Sequence, residues 1–400
     1  MSVLAIVALI GVGTSLTYYA VAAIAAMRFA HRAHEARPSL PKIAPRVAVL
    51  KPLRGRPEGL TANLTSYLEA DYPRIEYYFA VSSYEDSATE VPVSLRAQYK
   101  FKPITLIVGE APACTNRKVG KLIRMAERAE RAEIFVLSDA DIAISRDHLQ
   151  HIVGELMADE KLGIVTCIYR ARPLGSLASR LEALCVNTDF APQVMISAAI
   201  EPIHYALGAT IAIKREALAA TGGFTRLKDV LADDYYLGNL VAKAGYTVKL
   251  SSSIVTTVCA EKTFADFWHH QMRWARTYKT TRPASLATIL VHGPFWAILF
   301  LLAMKFSLLA TGVFAVVILA RVAMARLIIR RVLAMPELGR DAWLAPLKDL
   351  VMTAIWFACL TGNEVRWGER RLKILAGGVM REVPADAGSV TGSKAMADAE

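Results

Sequence analysis

A chain of 400 residues with 54% hydrophobic content and a mean hydropathy of +0.33 is high in apolar character for a purely soluble enzyme, and its length allows two or three structural units. The formal net charge of +11 suits nucleic acid, anionic headgroups or a phosphorylated substrate alike. No RNP-type aromatic motif or zinc-finger spacing is present, so nucleic acid is not an expected partner.

Residues 1–27 carry no charged side chain, enough to cross a hydrocarbon core that needs about 20 helical residues. A cleaved signal peptide is the competing reading. No Lys or Arg precedes the run, whereas Arg28, Arg32, Lys42 and Arg46 follow it, which predicts a retained anchor with its C-terminal flank in the cytoplasm. The five cysteines (Cys114, Cys167, Cys185, Cys259, Cys359) show no Cys-x-x-Cys spacing, which argues against a disulfide framework or a zinc site.

From residue 46 onward the pattern alternates. Residues 46–50 read as a strand, 59–70 as a helix, 77–82 as a strand, 88–99 as a helix, 104–108 as a strand, 116–131 as a helix and 133–136 as a strand. Such alternation predicts an α/β domain with a largely parallel sheet. Ligands of open α/β sheets bind beyond the carboxyl ends of the strands. Three groups fall there: Lys51-Pro52-Leu53-Arg54-Gly55, Tyr84-Glu85-Asp86, and Ser138-Asp139-Ala140-Asp141. Two carboxylates one residue apart can face a divalent ion and the phosphates it neutralises, although turn chemistry also produces an isolated Asp-x-Asp. Asn116-Arg117-Lys118 opens a helix whose amides and cations suit a phosphate or a sugar; a solvated helix start explains it equally.

Further on, 145–159 reads as a helix, 163–169 as a strand, the next segment as a helix through Asn187, and 208–214 as a strand in which Gly208 permits close backbone approach. Asp233 and Asp234 open a helix ending near Gly245, a place the helix dipole also favours for acids. Residues 264–282 combine Phe, Trp, Arg and Lys at helical length, which predicts a helix in the membrane interface. Its neighbours His269 and His270 diverge by about 100° on a helix, with no acidic residue following at ligand spacing, so metal is not expected there. Residues 286–320 carry one charge, Lys305. A straight helix of that length spans about 52 Å, against a hydrocarbon core of roughly 30 Å, so a two-span hairpin is expected. Residues 344–361 are apolar but interrupted by Lys348 and Asp349, and Arg366, Arg370, Arg371 and Lys373 beyond them favour a cytoplasmic C-terminus. A re-entrant or interfacial segment reconciles the two. The tail 384–400 reads as disordered.

In order, Asp86, Asp139-Ala140-Asp141, Asp233-Asp234 and His270-Gln271-Met272-Arg273-Trp274 before membrane spans resemble the D, D, D, Q/RxxRW pattern of membrane-bound inverting glycosyltransferases. Lys51 to Gly55, Asp71-Tyr72-Pro73 and Asp86-Ser87-Ala88 are similar to the ceramide glucosyltransferase family over about residues 46–282. Thr115-Asn116-Arg117-Lys118-Val119-Gly120 and Arg273-Trp274-Ala275-Arg276-Thr277 resemble its bacterial hopanoid-biosynthesis members. The resemblance implies a GT-A (nucleotide-diphospho-sugar transferase) domain with an N-terminal transmembrane anchor and C-terminal membrane helices, placed at the bacterial cytoplasmic membrane. It also implies a UDP-sugar donor and a membrane lipid acceptor. It places Asp86 at the uridine, Asp139 and Asp141 at a divalent metal (Mg²⁺ or Mn²⁺) and the diphosphate, and Asp234 as general base. Arg273 and Trp274 would lie near donor or acceptor, with Lys51, Asn116, Lys118, Asp233 and His270 as further substrate contacts. His270 departs from the Q/R of the motif. The expected organisation is an anchor (1–27), a cytoplasmic catalytic domain (46–260), an interfacial helix (261–282), membrane segments (286–361) and the tail. Transfer of one hexose to a hopanoid polyol or ceramide is the leading expectation; a processive polysaccharide synthase and a non-catalytic membrane scaffold are the alternatives.

Overall fold

The computed structural model describes residues 1–33, 39–111, 113–368 and 370–383; the tail expected over 384–400 lies outside them. The chain begins with α1 (Val3–Arg32), capped by the Ser2 side chain, which accepts from the Ala5 N–H. Then follow β1 (Val47–Pro52), α2 (Leu60–Leu68), β2 (Ile75–Val81), α3 (Glu90–Gln98), β3 (Ile104–Val108), α4 (Arg117–Arg128), β4 (Ile134–Leu137), β5 (Ile142–Ala143), α5 (His148–Met157) and β6 (Leu162–Pro173). Next come α6 (Leu177–Cys185), α7 (Ala191–Ile200), β7 (Ile211–Lys214), α8 (Arg215–Ala220), α9 (Asp233–Lys243), β8 (Thr247–Cys259) and α10 (Phe264–Thr281). The chain closes with α11 (Gly293–Ala303), α12 (Leu308–Leu327), α13 (Ala345–Cys359) and the short strands β9 (Glu364–Trp367), β10 (Arg370–Ile374) and β11 (Met380–Glu382).

An eight-stranded sheet runs β3-β2-β1-β4-β7-β6-β8-β5. The expected parallel arrangement holds from β3 to β4, while β7 lies antiparallel between β4 and β6. β1 and β4 are covered on both faces, and residues 47–50 and Ile134–Leu137 form unbroken apolar runs for that reason. The chain leaves β1 towards β2 and β3 on one side, then returns to β4 on the other. That reversal makes the gap at the carboxyl ends of β1 and β4 the topological switch point, where a ligand crevice opens.

Among the described residues, four helices are long and apolar enough to cross a membrane: Val3–Arg32, Leu177–Ile200, Leu308–Val332 and Pro336–Cys359. A pair bent by 53°, Pro283–Val291 and Gly293–Ala303, would make a fifth. The run 286–320, whose one charge is Lys305, is broken between α11 and α12, where Lys305 and Phe306 take positive φ. The helix expected to end at Asn187 runs on to Ile200, and it carries Arg180, Glu182 and Asp189. All three charges are paired with distant residues: Arg180 with Asp341 at 2.7 Å, Glu182 with His270 at 2.9 Å, and Asp189 with Arg321 and Lys348. Lys348 and Asp349, which interrupt the last apolar segment in sequence, are buried in the same cluster.

The expected interfacial helix is α10. Phe267, Gln271 and Met272 turn into protein, and Phe267 and Met272 share an apolar cluster with Ile355 and Cys359 of α13. Beyond the membrane helices, β9 to β11 form a small antiparallel sheet that sequence reading reduced to a run of charge. It docks on the α/β domain: the Leu231 N–H donates to Gly378 O (3.0 Å), the Met380 N–H to Asp229 O (2.7 Å), and Arg370 to Thr115 O (3.1 Å).

Candidate active site

The turn after β4 is braced from below. Lys51, fully buried at the end of β1, donates to Asp139 O (2.8 Å) and Ile142 O (3.3 Å) and lies 4.0 Å over the Tyr67 ring. Burial pulls its pKa down to about 7 against the opposing charges of Asp141 and Asp139. Lys51 thus sits beneath the turn and holds its shape from that side. Tyr67 donates to Ser138 Oγ (2.6 Å), and Ser138 donates to Ala209 O (2.9 Å), tying the acidic turn to the chain entering β7.

On the open side the acids converge. Lys118 Nζ, one residue into α4, stands 2.8 Å from Asp139 Oδ1 and 3.2 Å from Asp233 Oδ2. Asn116 caps α4 by accepting from the Val119 N–H, and its amide donates to Val230 O (2.9 Å), which sets α4 against the start of α9. Asp234 accepts at Oδ2 from the Gly208 N–H (2.7 Å) and at Oδ1 from the Tyr235 N–H (2.8 Å). Burial first, then the charge of Asp233, pushes its pKa up to about 6, with Lys118 opposing.

Gly208 is the floor between these acids. A Cβ on it would stand 3.1 Å from Asp234 Oδ2 and 3.2 Å from Asp139 Oδ2, so the two carboxylates face one patch of bare backbone. Gly208→Ala pushes both carboxylates aside by a few tenths of an ångström. It is expected to lower kcat/KM at this site by up to about 10²-fold, because small misplacements at a reacting centre are costly. Unchanged kinetics would contradict the shared floor.

Asp141 lies deeper and accepts from Thr257 Oγ1 on β8 (2.8 Å); burial and the charge of Asp139 raise its pKa. Two carboxylates that repel each other in this way fit a hard divalent ion, whose remaining positions water and phosphate oxygens can take. Asp86 sits at the far rim and accepts at Oδ1 from the Gly55 N–H (2.8 Å) and the Ala88 N–H (3.0 Å), which fixes the Lys51–Gly55 loop.

α10 closes the other side. Arg273 is half-buried, its guanidinium makes no hydrogen bond or ion pair among the described residues, and it lies in the field of Glu182 first and of Asp139 after it. Trp274 packs edge-on against Phe190 (ring centroids 5.7 Å apart) and His270 (5.5 Å), and Phe190 in turn meets Tyr169 at 5.0 Å. His270 Nδ1 stands 2.9 Å from Glu182 Oε1 and 3.5 Å from Glu261 Oε1. Burial lowers its pKa, but those two carboxylates more than offset this and carry it up to about 9. Reading only along the helix missed both glutamates, since one comes from α6 and the other from the end of β8. His269, by contrast, turns back to Ala265 O of its own helix.

If Asp234 takes a proton during the reaction, it must be ionised. With a pKa raised to about 6, the base form is lost as pH falls through that value. The pH profile of kcat/KM is expected to fall about tenfold per unit below the pKa and to lie flat just above it. An acid limb near 4, the range of an ordinary carboxylate, would contradict the burial of this group.

Comparison with known proteins identifies the family and the fold. Ceramide glucosyltransferase 3 of Caenorhabditis elegans is 24% identical over 250 residues, covering 62% of this chain and 53% of that protein. Ceramide glucosyltransferase 1 of the same organism is 26% identical over 246 residues, covering 62% and 52%. The matched region thus spans about half the length of these relatives. A mannosyltransferase from Pyrobaculum calidifontis, solved with GDP-mannose and Mn²⁺, shares the fold at a TM-score of 0.51 and 21% identity, over 86% of this chain and 98% of that one. The description of glycosyl transferase family 21, the ceramide glucosyltransferase family, matches residues 6–380, and the chain belongs to that family.

Proposed function

We propose that the protein transfers a single hexose, glucose or N-acetylglucosamine, from a UDP-sugar to a hydroxyl of a membrane lipid, a hopanoid polyol or ceramide, with inversion. The observation that carries this reading is the convergence of Asp139 and Asp234 on Gly208 at the β1/β4 switch point, in a chain with four helices among the described residues long and apolar enough to cross a membrane. One face of the crevice offers carboxylates for a metal-bound diphosphate. The other offers a carboxylate held ready to accept a proton.

In this mechanism Asp86 and the loop it fixes receive the uridine end of the donor. A divalent ion held by Asp139 and Asp141 would supply neutralising charge to the diphosphate. Arg273, a cation without an internal partner, meets the leaving diphosphate and stabilises the charge that grows on it as the sugar's C1–O bond breaks. Lys118 keeps Asp139 and Asp233 in place during this step. The acceptor oxygen forms its bond to C1 from the opposite face, and its proton passes to the Asp234 carboxylate. One displacement inverts the anomeric centre and needs no enzyme nucleophile. The catalytic unit 46–260 would lie in the cytoplasm at the bacterial inner membrane, where the nucleotide sugar is found and a lipid can arrive laterally along α10.

The test incubates the purified full-length protein with UDP-glucose or UDP-N-acetylglucosamine and with a hopanoid polyol or ceramide, and identifies the product by mass spectrometry. A lipid bearing one sugar supports the proposal. A long polymer, or no glycolipid from any combination, overturns it.

A further inference from the structure

Behind the motif helix lies a second convergence of metal-ligating groups that the transfer mechanism does not use. Glu182 of α6, Glu261 just beyond β8 and His270 of α10 each bring one donor atom to within 4.8 Å of the others. The cluster is enclosed on the Glu182 side, where Glu182 is 1% exposed and α6 and α10 pack against each other, and it opens towards Glu261. Three of its atoms, His270 Nδ1, Glu182 Oε2 and Glu261 Oε2, are buried without a hydrogen-bond partner. At His270 the distances to both carboxylates are short, yet neither contact has hydrogen-bond alignment. The spacings of 2.9 and 3.5 Å between Nδ1 and the two oxygens suit neighbouring ligands around one ion, which stand about 3 Å apart when each is about 2.0–2.1 Å from the metal.

We propose that Glu182, Glu261 and His270 form a binding site for a first-row divalent cation such as Zn²⁺ or Mn²⁺, separate from the site at Asp139 and Asp141. Charge balance favours this: two carboxylates and one imidazole need two positive charges for neutrality, and a divalent ion supplies both. One imidazole and two carboxylates are also a donor set that such ions accept, with positions left for water. The Gln271 amide, which donates to Glu182 Oε1 at 2.8 Å, orients that carboxylate from outside the cluster. The ion would tie α6, the end of β8 and α10 together one turn from Arg273 and Trp274, and so set the position of the motif without touching the substrate.

The proposal does not depend on which sugar or lipid the protein uses, and its test measures metal alone. Full-length protein in detergent carries D139N and D141N to remove the other candidate site, is stripped with chelator, loaded with Zn²⁺ and desalted. Metal content by mass spectrometry and the Zn²⁺-induced rise in unfolding temperature are then read. The expected result is a single Zn²⁺ retained per chain and a raised unfolding temperature, both lost when H270Q or, separately, E261Q is added. Glu261 lies at the rim, so E261Q keeps the test valid if H270Q misfolds. No retained Zn²⁺ in the D139N/D141N protein, or retention undiminished by H270Q and E261Q, would overturn the site.

Discussion

Asp234→Asn is expected to reduce sugar transfer by about 10²–10⁴-fold, the usual contribution of a positioned general base, while the protein still folds. The amide cannot accept a proton, and the other crevice carboxylates among the described residues are engaged: Asp233 and Asp139 by Lys118, and Asp141 by Thr257. The substitution keeps the side chain's size. Its carbonyl can accept from either Gly208 or Tyr235, although its amino group then opposes the other N–H. A modest fall in unfolding temperature with near-complete loss of turnover is the expected signature. Turnover at the wild-type rate would remove Asp234 from the mechanism and favour the scaffold alternative.

The largest stability effect is expected at Arg321, far from the crevice. This guanidinium is 1% exposed and bridges Asp349 (2.7 and 3.0 Å), Asp189 (2.7 Å) and Thr188 (3.0 Å), joining α12, α13 and the turn between α6 and α7. Lys348, also buried, ion-pairs with the same two aspartates, so two cations balance two anions. Arg321→Ala leaves one carboxylate uncompensated and is expected to destabilise the protein by about 3–5 kcal/mol, the cost of breaking a buried pair from one side. Thermal unfolding in detergent measures this. Adding Asp349→Ala restores the charge balance and should recover part of the loss; a double variant no better than the single one would show that packing, not charge, dominates. The neighbour of Asp189 is Phe190, on which Trp274 rests, so loosening this cluster should also slow transfer.

The parts of the fold that were legible in the sequence are those fixed by local pattern. β1 and β4 read as buried strands because residues 47–50 and Ile134–Leu137 are short unbroken apolar runs, and the acidic pair at the end of β4 marked the crevice before its walls were known. Asp233 and Asp234 were visible as the first turn of α9 for the same local reason. What escaped depends on partners distant in sequence. Leu177–Ile200 hides its span-like character behind charges that only Asp341, His270, Arg321 and Lys348 explain. Ser251-Ser252-Ser253 breaks the apolar alternation of β8, a strand of 13 residues that is secured by pairing with β6 along most of its length. The glutamates facing His270 lie 88 and 9 residues before it in sequence, and neither distance is a helical ligand spacing. Lys51 looked like a ligand for phosphate because it stands at a strand end, but its long side chain turns under the neighbouring turn and is buried there.

The stereochemistry and size of the product test the central claim most directly. With an α-linked UDP-sugar donor and the preferred lipid, proton NMR of the purified glycolipid should show one hexose in β linkage, as a single displacement assisted by Asp234 requires. An α-linked sugar, or a chain of several sugars, would contradict the account.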